Sequence, residues 1–175
     1  MRKLKITELK RISVGEFKET PKIPLIVVLD NIRSLNNIGS VFRTSDAFVV
    51  ESIYLCGITA TPPNAEIHKT ALGAENSVAW EYFQDTKDAI SQLKQRGYFV
   101  YSIEQVENSI MLDELTLDAG RRYAVVLGNE VKGVQQEVVD MCDATIEIPQ
   151  YGTKHSLNVS VTAGIVIWDF FKKLT

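Results

Sequence analysis

"IEIPQYGTKHSLNVSVTAGIVIWDFF" (146–171) joins three kinds of sequence in one run. Its start belongs to a short β-branched strand signal, "TIEIP" (145–149). A loop punctuated by Pro149 and Gly152 follows, and then a stretch over 156–173 that reads as a helix buried on nearly every side. That helix opens on His155, Ser156 and Asn158, three residues that need water or a partner. Ser before an apolar run serves as an N-cap, accepting from the first free backbone N–H groups. The alternative is that the mouth of this helix faces a ligand.

Working outward, the strand-then-helix pattern recurs along the whole chain. Apolar runs "LIVVLD" (25–30), "SIYLCG" (52–57), "YFVYSI" (98–103), "YAVVLG" (123–128) and "TIEIP" (145–149) read as strands buried on both faces. Helix signals fall between them, over 37–49, 65–72, 86–96, 131–141 and 156–173. The best marked is "DTKDAISQLKQRG" (85–97), with Asp85 as N-cap, Ala89, Ile90 and Leu93 at helical spacing, and Gly97 as terminator. Such alternation predicts an α/β fold, a parallel sheet covered by helices in three layers. Ligands of such sheets sit outside the carboxyl ends of the strands. The loops of interest are therefore "DNIRSLNN" (30–37), "EQVENS" (104–109), "GNEVKG" (128–133) and "PQYGTKHS" (149–156).

Length and composition bound the function. A chain of 175 residues fits one domain with a sizeable core. The apolar stretch 157–171 is too short and too interrupted to span a bilayer, and "MRKLKITELKRIS" (1–13) lacks the apolar segment of a secretory signal. Cys56 and Cys142 alone make no disulfide framework, so a reducing cytoplasm is expected, and the "NVS" sequon at Asn158 is coincidental. Charge is divided unevenly. Residues 1–22 carry seven basic and three acidic groups, net +4, while the remaining twelve basic and nineteen acidic groups give −7. The first 22 residues therefore read as a basic extension able to meet phosphates, ahead of a main domain at 23–175. Alternatively they form an amphipathic helix whose Leu4, Ile6, Leu9 and Ile12 touch the body.

Several chemistries are set aside. There is no G-x-G-x-x-G for a dinucleotide and no G-x-S-x-G for a serine nucleophile. "GNEVKGVQ" (128–135) has the glycine spacing of a P-loop, but Val134 and Gln135 replace its Lys and its Ser or Thr. His68, His155, Cys56 and Cys142 show no metal-ligand spacing, so no metal is expected. What remains is a set of polar residues in strand-end loops. Asn37 and Arg43 lie six apart around a helix start, with Gly39 allowing close backbone approach. Arg43, amid Val41, Phe42, Ala47 and Phe48, is costly to bury without an anion, and a structural ion pair would supply one. Glu130 follows a buried strand, where a tight turn with helix-start charge would account for it. Singly, each reads as structural.

Together, "NNIGSVFRTSDAF" (36–48), "VVLGNEVKGV" (125–134) and "IEIPQYGTKHSLNVSVTAGI" (146–165) resemble, in this order, the three motifs of the SpoU (TrmH-like) branch of the SPOUT RNA methyltransferases. The resemblance covers about residues 25–172, and the third motif is the most diagnostic. Gln150 departs from it, standing where the family usually has Met. The resemblance implies transfer of a methyl group from S-adenosylmethionine to a ribose 2′-hydroxyl of tRNA or rRNA. It implies a deep C-terminal trefoil knot, a rare exception to unknotted topology, whose loops form the cofactor pocket, and a homodimer that completes the active site. An added N-terminal RNA-binding domain of the kind some rRNA-modifying relatives carry is not expected. Carried over residue by residue, Arg43 would sit beside the target ribose and phosphate, with Asn37, Glu130, Ser156 and Asn158 positioning ribose, arginine and loop backbone. Gly128, Ile148 and Leu157, with Ile103 in addition, would hold the adenine. Two other readings stay open: an RNA-binding protein of the same fold without transferase activity, and an α/β enzyme acting on a small nucleotide.

Overall fold

A computed structural model describes residues 1–175. Seven strands form one sheet: β1 (Ile23–Asp30), β2 (Val50–Cys56), β3 (Trp80–Phe83), β4 (Tyr98–Ile103), β5 (Ile110–Met111), β6 (Arg122–Leu127) and β7 (Ala144–Glu147). Their order is β3-β2-β1-β6-β4-β7-β5, and every pairing is parallel. Parallel neighbours need crossovers, and seven helices supply or flank them. These are α1 (Val14–Glu19), α2 (Leu35–Ala47), α3 (Ala65–Ala71), α4 (Ala74–Ser77), α5 (Thr86–Gln95), α6 (Gln136–Met141) and α7 (Val159–Leu174). No helix is long and apolar enough to cross a membrane.

Alternate side chains of each strand go to opposite faces, so the apolar runs feed two cores. Val27 and Leu29 join Ile38 and Phe42 of α2 and Val166, Ile167 and Phe170 of α7 in the larger cluster. Ile26 and Val28 join Ala89, Ile90 and Leu93 of α5 and Val138 of α6 in the smaller one. The heavier layer is thus the one that carries α2 and α7. Asp85 caps α5 by accepting from the Lys87 N–H at 2.9 Å, and Gly97, at φ +80°, follows its end, as the sequence predicts.

Several expectations need correction. β3 and β5 carry no continuous apolar signal: Trp80, Glu81 and Tyr82 are exposed on an edge, and β5 has two residues. The helix predicted over 131–141 is only α6, because Asn129 and Gly133 pair across a tight hairpin and Gly133 takes φ +69°. The last helix begins at Val159 instead of 156. Its cap is Asn158 rather than Ser156, with Asn158 Oδ1 accepting from the N–H groups of Ser160 (2.9 Å) and Val161 (3.3 Å). Near the N-terminus there is no amphipathic helix before α1, only a 3₁₀ turn at Ile6–Glu8, and Leu4, Ile6, Leu9 and Ile12 are exposed. Only Phe17 of α1 enters the core.

Gly39 shows what holds the α2 layer together. A Cβ there would lie 2.1 Å from Thr70 Oγ1 and 2.2 Å from the Ile67 carbonyl oxygen, so α2 and α3 meet only because the side chain is absent. Thr70 Oγ1 uses the contact to donate to the Asn36 carbonyl at 2.9 Å. Gly39→Ala is expected to force the helices apart and cost roughly 1–3 kcal/mol, the usual scale of overpacking. Denaturant unfolding that leaves the midpoint unchanged contradicts this.

Candidate functional site

The carboxyl ends of β4, β6 and β7 open into a cavity of about 530 Å³. That lies within the range of small-molecule sites. One wall is the hairpin after β6. Asn129 Oδ1 accepts from the N–H groups of Val131 (3.0 Å) and Lys132 (3.1 Å), while its Nδ2 donates to the Asn31 carbonyl at 2.7 Å. Gly128 lets the hairpin fold back, since a Cβ there would lie 2.1 Å from the Val134 nitrogen. The hairpin's far end is tied to Asp30, a fully buried carboxyl at the end of β1. Asp30 accepts from Thr86 Oγ1 (2.6 Å), Gln135 Nε2 (2.8 Å), the Gln135 N–H (3.0 Å) and Asn31 Nδ2 (3.1 Å). The other wall is the exposed loop running from Ile148 to Asn158.

Gly128, Ile148, Leu157 and Ile103, expected to hold an adenine, all line this cavity, and so do Glu130, Ser156 and Asn158. Asn37 reaches it from α2 through one continuous chain of hydrogen bonds. Glu130 Oε2 accepts from the Arg33 N–H (3.0 Å), and its Oε1 accepts from the Ser34 N–H (2.9 Å) and from Asn37 Nδ2 (3.2 Å). Asn37 Oδ1 in turn accepts from Asn158 Nδ2 at 3.3 Å. Both amide orientations follow from the ends of this chain. A carboxylate can only accept and the capping oxygen of Asn158 must accept, so each amide in between has one permitted direction. Glu130 therefore does supply helix-start charge, but to α2 rather than to the helix that follows it in sequence.

Arg43 is not brought to the cavity. It lies six residues beyond Asn37, about 120° around the helix at 3.6 residues per turn. There it lines a separate hollow with Asp46, Leu72, Ser77 and Val14 of α1. Its side chain is exposed and makes no ion pair, so the structural-pair reading is set aside: Phe42, its neighbour, takes the buried position. Glu104, Gln105 and Asn129 also line the cavity, and residue-level reasoning did not single them out. The only signal was their place in loops that follow apolar runs.

Burial pushes the Glu130 carboxyl up, but hydrogen bonds from Arg33, Ser34 and Asn37 to the anion outweigh it, and the group lies below its ordinary value of 4.5. A group depressed on folding contributes stability above its ordinary value and loses that contribution as the pH falls. Glu130→Gln is therefore expected to lower the melting temperature near neutral pH. The gap to the parent chain should close as the pH drops below 4.5. A gap that stays constant across that range removes the charge from the anchoring role.

Known proteins share both sequence and fold. The family profile described as the SpoU rRNA Methylase family matches residues 24–168. The 23S rRNA (guanosine-2′-O-)-methyltransferase RlmB of Nitrosomonas europaea is 31% identical over 170 residues, covering 96% of this chain and 64% of that protein. A TrmH/SpoU tRNA modifying enzyme of A. aeolicus superposes with a TM-score of 0.79 at 27% identity, over 91% of this chain and 81% of that one. An AdoMet-bound rRNA methyltransferase from Sinorhizobium meliloti does so with a TM-score of 0.80 at 25% identity, over 91% and 60%. The chain spans just under two thirds of the curated relatives it matches, 63% and 64% for two of them. With the matched segment running from the second residue of β1 well into α7, this chain belongs to the SpoU rRNA Methylase family.

Proposed function

We propose that the chain transfers a methyl group from S-adenosylmethionine to a ribose 2′-hydroxyl of tRNA or rRNA. The observation that carries this reading is the chain Glu130–Asn37–Asn158. It fastens the three motif segments to one another at the mouth of a cavity with apolar walls (Ile103, Ile148 and Leu157) and a side-chain-free Gly128. An adenine fits such walls, with backbone groups to satisfy its edge, and the loop 148–158 is the segment whose threading would close a trefoil knot. Once bound, the cofactor supplies an electrophilic methyl sulfonium. The protein's task is to align a weak hydroxyl nucleophile with it. Asn37, Glu130, Ser156 and Asn158 fix the loop backbone and the ribose. Arg43 binds the neighbouring phosphate through its planar fork, and its field favours charge developing on the 2′-oxygen.

One chain leaves Arg43 away from the cavity, so a second copy must supply it. The exposed side of α7 suits that second copy: Val161, Ile165 and Trp168 lie at helical spacing and are 50%, 37% and 48% exposed. Trp168 continues into an aromatic cluster, 5.2 Å from Phe48 and 5.9 Å from Phe171 between ring centroids. Residues 1–22 add phosphate affinity to the same face, because Val14 at the head of α1 lines the hollow that holds Arg43. The protein would act in the cytoplasm, where its RNA substrates are.

Two measurements test this. Labelled methyl transfer to total tRNA and rRNA is expected from the parent chain. Arg43→Lys should retain the fold but lose roughly a hundredfold or more in single-turnover rate, the scale of one lost transition-state partner. Since Arg43 is exposed and unpaired, Arg43→Ala should shift stability by no more than about 0.5 kcal/mol. RNA retention without any transfer by the parent chain establishes the binding-protein reading instead. Separately, sedimentation at micromolar concentration should show a dimer, and charged substitution at Ile165 and Trp168 should yield monomer without transfer activity. A parent chain that sediments as a monomer and still methylates sinks the shared site.

A further inference from the structure

Glu104 and Gln105 follow directly on β4 and touch each wall of the cavity. The Glu104 N–H donates to the Ile146 carbonyl of β7 at 3.1 Å. Glu104 Oε2 accepts from the Val134 N–H at 3.1 Å, at the foot of the hairpin, and Oε1 accepts from the Gln105 N–H at 2.8 Å. Gln105 Nε2 donates to the His155 carbonyl at 2.9 Å, across the cavity in the loop before α7. The hairpin is shaped around this carboxylate. A Cβ at Gly133 would lie 2.2 Å from Glu104 Oε2, so a side chain there would displace it.

Three carboxylates line the cavity, those of Glu104, Glu130 and Glu147. Glu130 is occupied by the three donors at the start of α2, and Glu147 Oε2 accepts from Ser109 Oγ at 2.7 Å. Glu147 is held at one oxygen only, whereas Glu104 is held at both. A carboxylate offers about four acceptor positions, and here backbone N–H groups take one on each oxygen. The plane of the group is fixed by those two bonds, and one position per oxygen remains. Two adjacent acceptors held in a plane match two adjacent hydroxyls, each donating one O–H bond. They do not match a phosphate, which would meet like charge.

We propose that Glu104 receives the vicinal 2′- and 3′-hydroxyls of the cofactor's ribose, and so selects a ribonucleoside over its deoxy counterpart at this cavity. This rests on the reading of the cavity as an S-adenosylmethionine site. It gives that site a charged anchor that none of the three motifs contains, since Glu104 lies outside all of them.

The test is calorimetric titration with S-adenosylhomocysteine and with its 2′-deoxy analogue, on the parent chain, Glu104→Ala and Glu104→Gln. The parent chain is expected to prefer the ribose form by about tenfold to a hundredfold, the range of one hydrogen bond to a charged group. Glu104→Ala should bind the two ligands nearly equally. Glu104→Gln, which preserves shape and one acceptor oxygen, should keep only a small preference, and it decides the matter if the alanine variant does not fold. If either variant weakens both ligands by the same factor, Glu104 merely braces the hairpin and the inference is overturned. The same holds if the parent chain does not distinguish the ligands, although the cofactor reading then survives. A parent chain that binds neither ligand overturns the cofactor reading itself, and this inference with it.

Discussion

Asp30 sits at the carboxyl end of β1, an interior strand, with no exposed surface, and the groups that hydrogen-bond to its carboxyl are all uncharged. Burying such a group is costly unless its acceptor positions are filled. Four donors meet it here, three at Oδ1 and one at Oδ2. Because two of those donors come from Gln135 and one from Thr86, the same contact fixes where α5 starts and where the hairpin after β6 returns. Asn31, the fourth donor, offers its carbonyl to Asn129 at the hairpin's other end. The hairpin is thus pinned at both ends to the last residue of β1 and the one that follows it. The cavity wall it forms, and the Glu130 side chain it projects toward α2, both depend on that pinning.

The polar residues of the site divide into two groups by the helix faces they occupy. Asn37 turns inward to Glu130 and Asn158, whereas Arg43 turns out to solvent beside α1. The first group organises the protein, and its bonds are satisfied within one chain. The second has no partner within the chain. That contrast separates residues whose bonding is satisfied within the chain from one left free to meet another molecule.

The fold class was legible because central parallel strands are buried on both faces and must be continuously apolar, as "LIVVLD" and "YAVVLG" are. Edge strands escape that demand, so β3 with its exposed Trp80 and Tyr82 left no such mark. Helix signals failed where backbone N–H groups found side-chain acceptors instead of carbonyls. Val134 and Gln135 donate to Glu104 and Asp30, and the helix predicted from 131 does not begin until 136. Of the site, the motif residues were legible as a set. Their bonding was not, because Asn37, Glu130 and Asn158 are far apart in sequence and nothing local says which carboxylate meets which amide. Arg43 misled for a local reason: apolar neighbours on a helix say little about the next residue, which points about 100° away.

The chain from Glu130 through Asn37 to Asn158 closes loops of 93 and 121 residues. Closing such loops carries an entropic cost that has to be met before the contacts repay it. The first three strands pair with one another and draw only on the first half of the chain, whereas the cavity needs β6, β7 and the docked start of α7. The cavity is therefore complete only when the C-terminal segment has docked on the start of α2. The cavity is thus a property of the whole chain: no stretch of the sequence holds it alone, and its two walls meet only through contacts between residues 93 and 121 positions apart.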